Sequence, residues 1–183
     1  MKKKLVVLLS LVLVMCTLLC ACGGNKEQSV EFGSVVTMDD FEVVVSSDIL
    51  TASQLNFDKS FHNEFMTTDL SVGSTVDVAK DGYTLVVVSY TVKNVGKEDS
   101  TFKEKVILNY NDGYTYEAKE QYWTMSDPQD SWHLFTNGSL TTVDVSPLTT
   151  IECKAYLNVP SEVFTNEEAS LKVVLGNAIY TVR

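Results

Sequence analysis

Residues 83–94, YTLVVVSYTVKN, decide the fold class of this chain. Val86, Val88, Tyr90 and Val92 repeat with the two-residue period of a β-strand and so share one face. Leu85 and Val87 add apolar bulk to the other face, the pattern of a central strand covered on both sides. Outward from it, strand signals return. VEFGSVVTM (30–38) and FEVVVSS (41–47) flank Asp39-Asp40, a turn. KEKVILNY (103–110) and GYTYEA (113–118) flank Asn111-Asp112-Gly113, residues that tolerate positive φ and predict a hairpin. In IECKAYLNVP (151–160), Ile151, Cys153, Ala155, Leu157 and Val159 fall on one face, against Glu152, Lys154, Tyr156 and Asn158 on the other. LKVVL (171–175) and AIYTV (178–182) close the chain around Gly176-Asn177, a further hairpin turn. Short strands separated by turn signals, with no long amphipathic helix, predict an all-β, antiparallel β-sandwich.

Two segments break this pattern. Residues 51–75 and 119–139 are long for connections between strands, and long loops are disproportionately functional. A short helix is expected in the first, with Leu55, Phe61 and Phe65 on one face.

The N-terminus has a different character. Lys2, Lys3 and Lys4 precede the apolar run LVVLLSLVLVMCTLL (5–19), the layout of an export signal. An uncleaved membrane anchor is the competing reading, although the run is just short of the roughly 20 residues a span needs. Leu19-Cys20-Ala21-Cys22, followed by Gly23-Gly24, resembles the bacterial lipobox. The resemblance implies cleavage between Ala21 and Cys22 and a diacylglyceryl group on the Cys22 thiol. Small neighbours leave that thiol accessible, whereas Cys20 follows the bulky Leu19. A zinc site fails on context, because its ligands would lie inside the apolar signal with no second pair. Two acyl chains hold a protein stably where one does not, so a lipidated Cys22 needs no transmembrane helix. The expected organisation is a signal peptide at 1–21, a lipidated cysteine and flexible tether at 22–29, and one domain at 30–183.

Removing 1–21 leaves eleven basic against twenty-four acidic residues, a net charge near −13. Nucleic acid is excluded as a partner, since its affinity comes largely from Lys and Arg neutralising phosphates. With Cys16 and Cys20 gone and Cys22 alkylated, Cys153 has no intramolecular partner, and the domain must stand on its hydrophobic core.

A wider likeness rests on GSVVTMDDFEVVV (33–45), GYTLVVVSYTVKNVGKED (82–99), the Asn-Asp-Gly-Tyr turn and YLNVP (156–160). Together they resemble bacterial secreted lipoproteins with an immunoglobulin-like β-sandwich domain of unknown function, a sandwich also found in a mycobacterial immunoprotective extracellular antigen. The resemblance implies a fold and a location, and no catalytic residues. It also implies a Pro-Gly turn before the last long strand, where SPLTTIE (146–152) supplies Pro147 and no glycine.

Chemistry-bearing residues are few. Asp130, Ser131 and His133 cluster in sequence, but no Gly-x-Ser-x-Gly elbow accompanies them, and an enzyme is not expected. Cys153 alternates inward and reads as a small core side chain. His62 and His133 sit in the two long segments near Glu64, Asp127 and Asp130, which makes a shared divalent-metal site the alternative reading. Asp39-Asp40 and NYNDG (109–113) lack a calcium-loop pattern. No cofactor is expected. Tyr114, Tyr116, Tyr122, Trp123, Trp132 and Phe135 form an aromatic group, and Tyr and Trp dominate binding hot spots. Tyr122, Trp123, Trp132 and Phe135 are therefore the expected binding residues, for an envelope protein or cell-wall glycan met on the extracytoplasmic face of the cell membrane. The competing reading makes them a satellite core under the long segment. Cys22→Ala should abolish metabolic labelling by fatty acid, and Cys20→Ala should leave it intact; the reverse pattern would move the lipid.

Overall fold

Tyr83–Asn94 is a single strand of twelve residues, and both layers of the molecule are built on it. The computed structural model describes residues 27–63, 68–111, 113–125, 127, 129–137 and 140–183. The chain runs through β1 (Gln28–Val30), β2 (Val35–Met38), β3 (Phe41–Val45), β4 (Leu50–Ala52), β5 (Gln54–Asn56), β6 (Phe61–Asn63) and β7 (Thr68–Leu70). It continues through β8 (Thr75–Val78), β9 (Tyr83–Asn94), β10 (Ser100–Phe102), β11 (Val106–Tyr110), β12 (Tyr114–Glu117) and β13 (Glu120–Met125). The last part holds β14 (Trp132–Asn137), β15 (Leu140–Thr141), β16 (Val143–Val145), β17 (Thr150–Pro160), a helical turn at Glu162–Thr165, β18 (Leu171–Leu175) and β19 (Ala178–Thr181).

The large sheet has the order β2-β3-β9-β17-β13-β14-β6-β7, with β4 also on β9 and β15 on β14. The small sheet is β1-β19-β18-β11-β12. Most pairings are antiparallel; β1 on β19 and β6 on β14 are parallel. This is the β-sandwich that the two-residue period predicts. Val86, Val88, Tyr90 and Val92 of β9 and Ile151, Cys153, Ala155, Leu157 and Val159 of β17 are all buried in the main core. Val106, Leu108, Leu171, Val173, Leu175 and Tyr180 of the small sheet belong to the same core.

The other face of β9 is also covered. Leu85 and Val87 join Tyr122, Tyr156, Leu55, Phe57, Phe61 and Trp132 in a second cluster. The described part of residues 51–75 makes this cover as strands rather than the expected helix: β4 borrows an edge of β9, β5 pairs with β8, and β6 extends the large sheet. Backbone groups laid against a sheet are best satisfied by pairing with it, which overrides the loose helical spacing of Leu55 and Phe61. Phe65 lies outside the described residues. Gln28 and Ser29, expected within the tether, pair with Ala178 and Ile179 as β1.

Two buried amides hold the frame together. Gln121, fully buried on β13, accepts from Val106 N on the opposite sheet at 2.7 Å. Its Nε2 donates to Tyr90 Oη and to the Glu104 carbonyl, each at 3.1 Å. Asn94, the last residue of the YTLVVVSYTVKN stretch, donates from Nδ2 to the Glu98 and Val145 carbonyls and accepts from Gly96 N. It thereby ties the β9–β10 connection to the end of β16 at one end of the sandwich.

That end is also where the chain enters the domain. Gln28 N donates to the Asn177 carbonyl. Gly176 beside it is held at φ +57, and a Cβ there would lie 2.9 Å from Met38 Sδ. Met38 leads into the Asp39-Asp40 turn; the Asp40 carbonyl accepts from Val95 N, and the Asn94 carbonyl from Leu148 N. The β18–β19, β2–β3, β9–β10 and β16–β17 connections therefore share the entry pole, while Tyr83, Tyr110 and Pro160 lie at the opposite, distal pole. In the Ser146–Thr149 turn, Pro147 is followed by Leu148 at φ +61, so leucine takes the conformation a glycine was expected to supply. A left-handed non-glycine residue costs about 1–2 kcal/mol. Gln121→Ala should lower unfolding free energy by about 3 kcal/mol or more, since it leaves three partners unpaired and a cavity behind; equilibrium urea unfolding reads the loss.

Candidate functional site

The four aromatic residues expected to bind are placed by β13 and β14, and most of them face inward. Tyr122, Trp132 and Phe135 are 1%, 2% and 5% exposed, so they present no binding surface. A bulge between Gln121 and Tyr122 sets the register, with Tyr122 opposite Leu134 and Trp123 opposite His133. Tyr122 and Trp132 enter the second cluster, and Phe135 enters the main core on the other face of β14. Trp123 is half-buried and stacks on the His133 ring, centroids 4.7 Å apart. The satellite-core reading is the one this packing meets. Alternation within each strand was visible in sequence; which of its faces a distant segment would cover was not.

Polar side chains pin this second layer. Trp132 Nε1 donates to Asp58 Oδ1 at 2.9 Å, and Lys154 Nζ reaches the same carboxylate at 3.3 Å. The Lys154 ammonium also sits 4.7 Å from the centre of the Trp132 ring, a cation–π contact. Partial burial opposes ionisation of Asp58, but the hydrogen bond from Trp132 and the charge of Lys154 outweigh it and hold the carboxyl below its usual value. Glu120 accepts from both Tyr122 Oη and Tyr156 Oη, the latter at 2.7 Å, and the two phenol rings stack 5.9 Å apart. Burial, with Glu120 beside them, pushes both phenols far above the ordinary tyrosine range.

The histidines, distant in sequence, meet in space. Parallel pairing of β6 with β14 sets His62 beside His133, ring centroids 5.7 Å apart in an edge-to-face arrangement. Asp130 Oδ1 lies 3.6 Å from His133 Nε2. The same carboxylate accepts from Met125 N and Ser131 N, and these bonds, against the effect of burial, keep it below the usual carboxylate range. Ser131 Oγ lies 2.7 Å from Ser60 Oγ. Among the described residues, no three His, Cys, Asp or Glu side chains converge to hold a metal ion. Cys153 is fully buried, and burial pushes its thiol well above the ordinary range.

The exposed aromatics are elsewhere. At the distal pole Tyr114 is 60% and Tyr83 45% exposed. Tyr110 packs beside Tyr114, centroids 6.1 Å apart, and Asn166 Nδ2 donates to the Tyr110 hydroxyl at 3.2 Å. Tyr116 lies within electrostatic reach of Glu162, Tyr114, Tyr83 and Tyr110; burial first, then Glu162, raises its hydroxyl pKa. Tyr114 and Tyr116 were in the aromatic group read from the sequence, but Tyr83 was hidden as the first residue of an apolar strand. Only the meeting of β9, β12 and the Glu162 turn brings them together.

The Asp58 contribution to stability carries a sign that can be tested. Its folded value is depressed, so the contribution is complete above about pH 4, near the usual carboxylate pKa. It is lost as pH falls through the lower folded value. Asp58→Asn should flatten that acid limb in urea midpoints measured between about pH 2 and pH 6. Trp132→Ala should cost about 3–5 kcal/mol, as a buried indole rather than a surface one.

Comparison with known proteins places the fold. No family model matches the chain, and no curated protein matches it. An uncharacterized β-sandwich protein from Clostridium difficile 630 aligns over 88% of this chain and 98% of its own, at 19% identity and a TM-score of 0.58. A conserved hypothetical protein from Bacillus anthracis aligns over 86% of this chain and 98% of its own, at 15% identity and a TM-score of 0.54. The chain is therefore a β-sandwich similar over nearly its whole described length to bacterial proteins that carry no assigned function.

Proposed function

We propose that this chain is a lipoprotein anchored through Cys22 on the extracytoplasmic face of a bacterial membrane, and that its β-sandwich is a non-catalytic binding module. The observation that carries the binding role is the tyrosine cluster at the distal pole: Tyr83 and Tyr114 exposed, Tyr116 and Glu162 beside them. Tyrosine brings a large contact area at low entropy cost, together with a hydroxyl for hydrogen bonds. The partner is an envelope protein or cell-wall glycan that meets this pole. The non-catalytic reading draws support from the positions of the nucleophiles: Cys153 lies inside the core with its thiol pKa raised, and Ser131 Oγ is paired with Ser60 Oγ.

Peptidoglycan sedimentation and chemical cross-linking of envelope proteins test the two partner classes. Retention by either should fall about tenfold or more in Tyr83→Ala/Tyr114→Ala, the order of a hot-spot pair, with thermal unfolding unchanged. Retention equal to wild type in both assays would remove this pole from the reading. The facing rings of His62 and His133 favour a second reading, an accessory lipoprotein that binds a divalent metal. Stoichiometric Zn²⁺ uptake in calorimetry, lost in His62→Ala, would support that one instead.

A further inference from the structure

The pole opposite the tyrosines carries a feature that neither the core nor the proposed binding surface uses. Leu148 is 77% exposed, the highest value among the large hydrophobic residues described, and it is held at φ +61. Val95, 39% exposed, is its neighbour through Asn94, whose carbonyl accepts from Leu148 N. An apolar side chain held out in water on a strained turn is unfavourable twice over, once by hydration and once by backbone conformation. Neither cost is offset by anything the side chain does for the domain core.

The position of the pole suggests what covers it. The chain enters the domain here, since Gln28 is bonded to Asn177, and the Gly176, Met38, Asp40 and Val95 contacts lead across the same end to Leu148. Only four residues, 23–26, separate Cys22 from Glu27. Even fully extended, that stretch spans no more than about 18 Å. A lipid on Cys22 would therefore hold this pole, and not the distal one, within about 18 Å of the bilayer. We propose that the entry pole rests on the membrane with Leu148, flanked by Val95, dipping into the lipid interface. The inference rests on the anchoring of Cys22 in the preceding reading. The tether makes the contact intramolecular, so even one shallowly buried leucine can bias the domain's orientation.

The charges around the tip specify the lipid chemistry. Asp39, Asp40, Glu98 and Asp99 are exposed on this pole, with Lys97 among them. The contact is accordingly apolar, without a cationic grip on headgroups, and weakens as the anionic lipid fraction rises at low salt. Held this way, the sandwich stands on its entry pole and directs Tyr83 and Tyr114 away from the membrane.

The test uses the full-length, lipidated protein in phosphatidylcholine vesicles containing a minor fraction of phosphatidylglycerol. Leu148→Cys and, separately, Tyr114→Cys are labelled with an environment-sensitive fluorophore; Cys153 is buried and does not compete. Brominated lipid should quench the label at 148 about twofold or more above the label at 114, the signature of interfacial burial. Protein that floats with the vesicles while both labels stay equally unquenched keeps its anchor and overturns the contact. A label shift at 148 that grows with protein density and ignores brominated lipid also overturns it, in favour of a second copy. Failure to float, with no fatty-acid label at Cys22, overturns the anchor and the contact together.

Discussion

A strand that is apolar on both faces must be covered twice, and β9 imposes this on the rest of the chain. Val86, Val88, Tyr90 and Val92 demand the small sheet on one side. Leu85 and Val87 demand something on the other, where a simple two-sheet sandwich would leave them in water. The segment between β3 and β9 meets that demand with strands and a stack of aromatic rings. Phe57 lies edge-on to Tyr122 at 4.7 Å and stacks on Phe61 at 5.3 Å, so the cover is packed rather than draped. From the two long segments, Leu55, Phe57, Phe61, Tyr122 and Trp132 go to that second face of β9, whereas Trp123 and Phe135 pack with the main core.

Packing of this kind does not by itself choose one register for the two sheets. The buried polar groups add that choice. Gln121 reaches from the large sheet to the backbone of β11 and to Tyr90, and a slip of either sheet would leave each partner unsatisfied in an apolar core. Asn94 does the same for the connections of the entry pole. In the outer layer Asp58 and Glu120 hold ring hydroxyls and an indole N–H whose burial would otherwise be costly. Cys153 is free, so among the described residues these amides and carboxylates, and no disulfide, supply the specific ties within the fold.

The two poles follow from strand direction. Because β1 begins beside Asn177 and runs parallel to β19, the chain enters at the end that carries the Asp39-Asp40, Val95 and Leu148 turns. The tyrosines of β9 and β12 are consequently at the far end, where an anchored domain would offer them to the envelope. Under the proposed anchoring and binding, one end of a small acidic sandwich would address lipid and the other a partner, with the core between them as a spacer.

Much of this was legible in residues alone. The period of two in 83–94, 106–110 and 151–160 determined which side chains enter the main core, because strand geometry alternates faces without regard to context. Asp39 and Asn111, both at positive φ, sit in turns that the sequence marked with residues able to adopt it. The fate of the outer faces was not legible, because whether a side chain meets water or another segment depends on where residues tens of positions away come to rest. Trp132 looked like a surface anchor and became the centre of a buried layer; Tyr83 looked like the start of a core strand and emerged exposed at a pole. His62 and His133, seventy-one positions apart, became neighbours only through the parallel edge of β6 on β14. Alternation is a property of the backbone and belongs to the sequence; coverage is a property of the whole chain, and only the tertiary structure decides it.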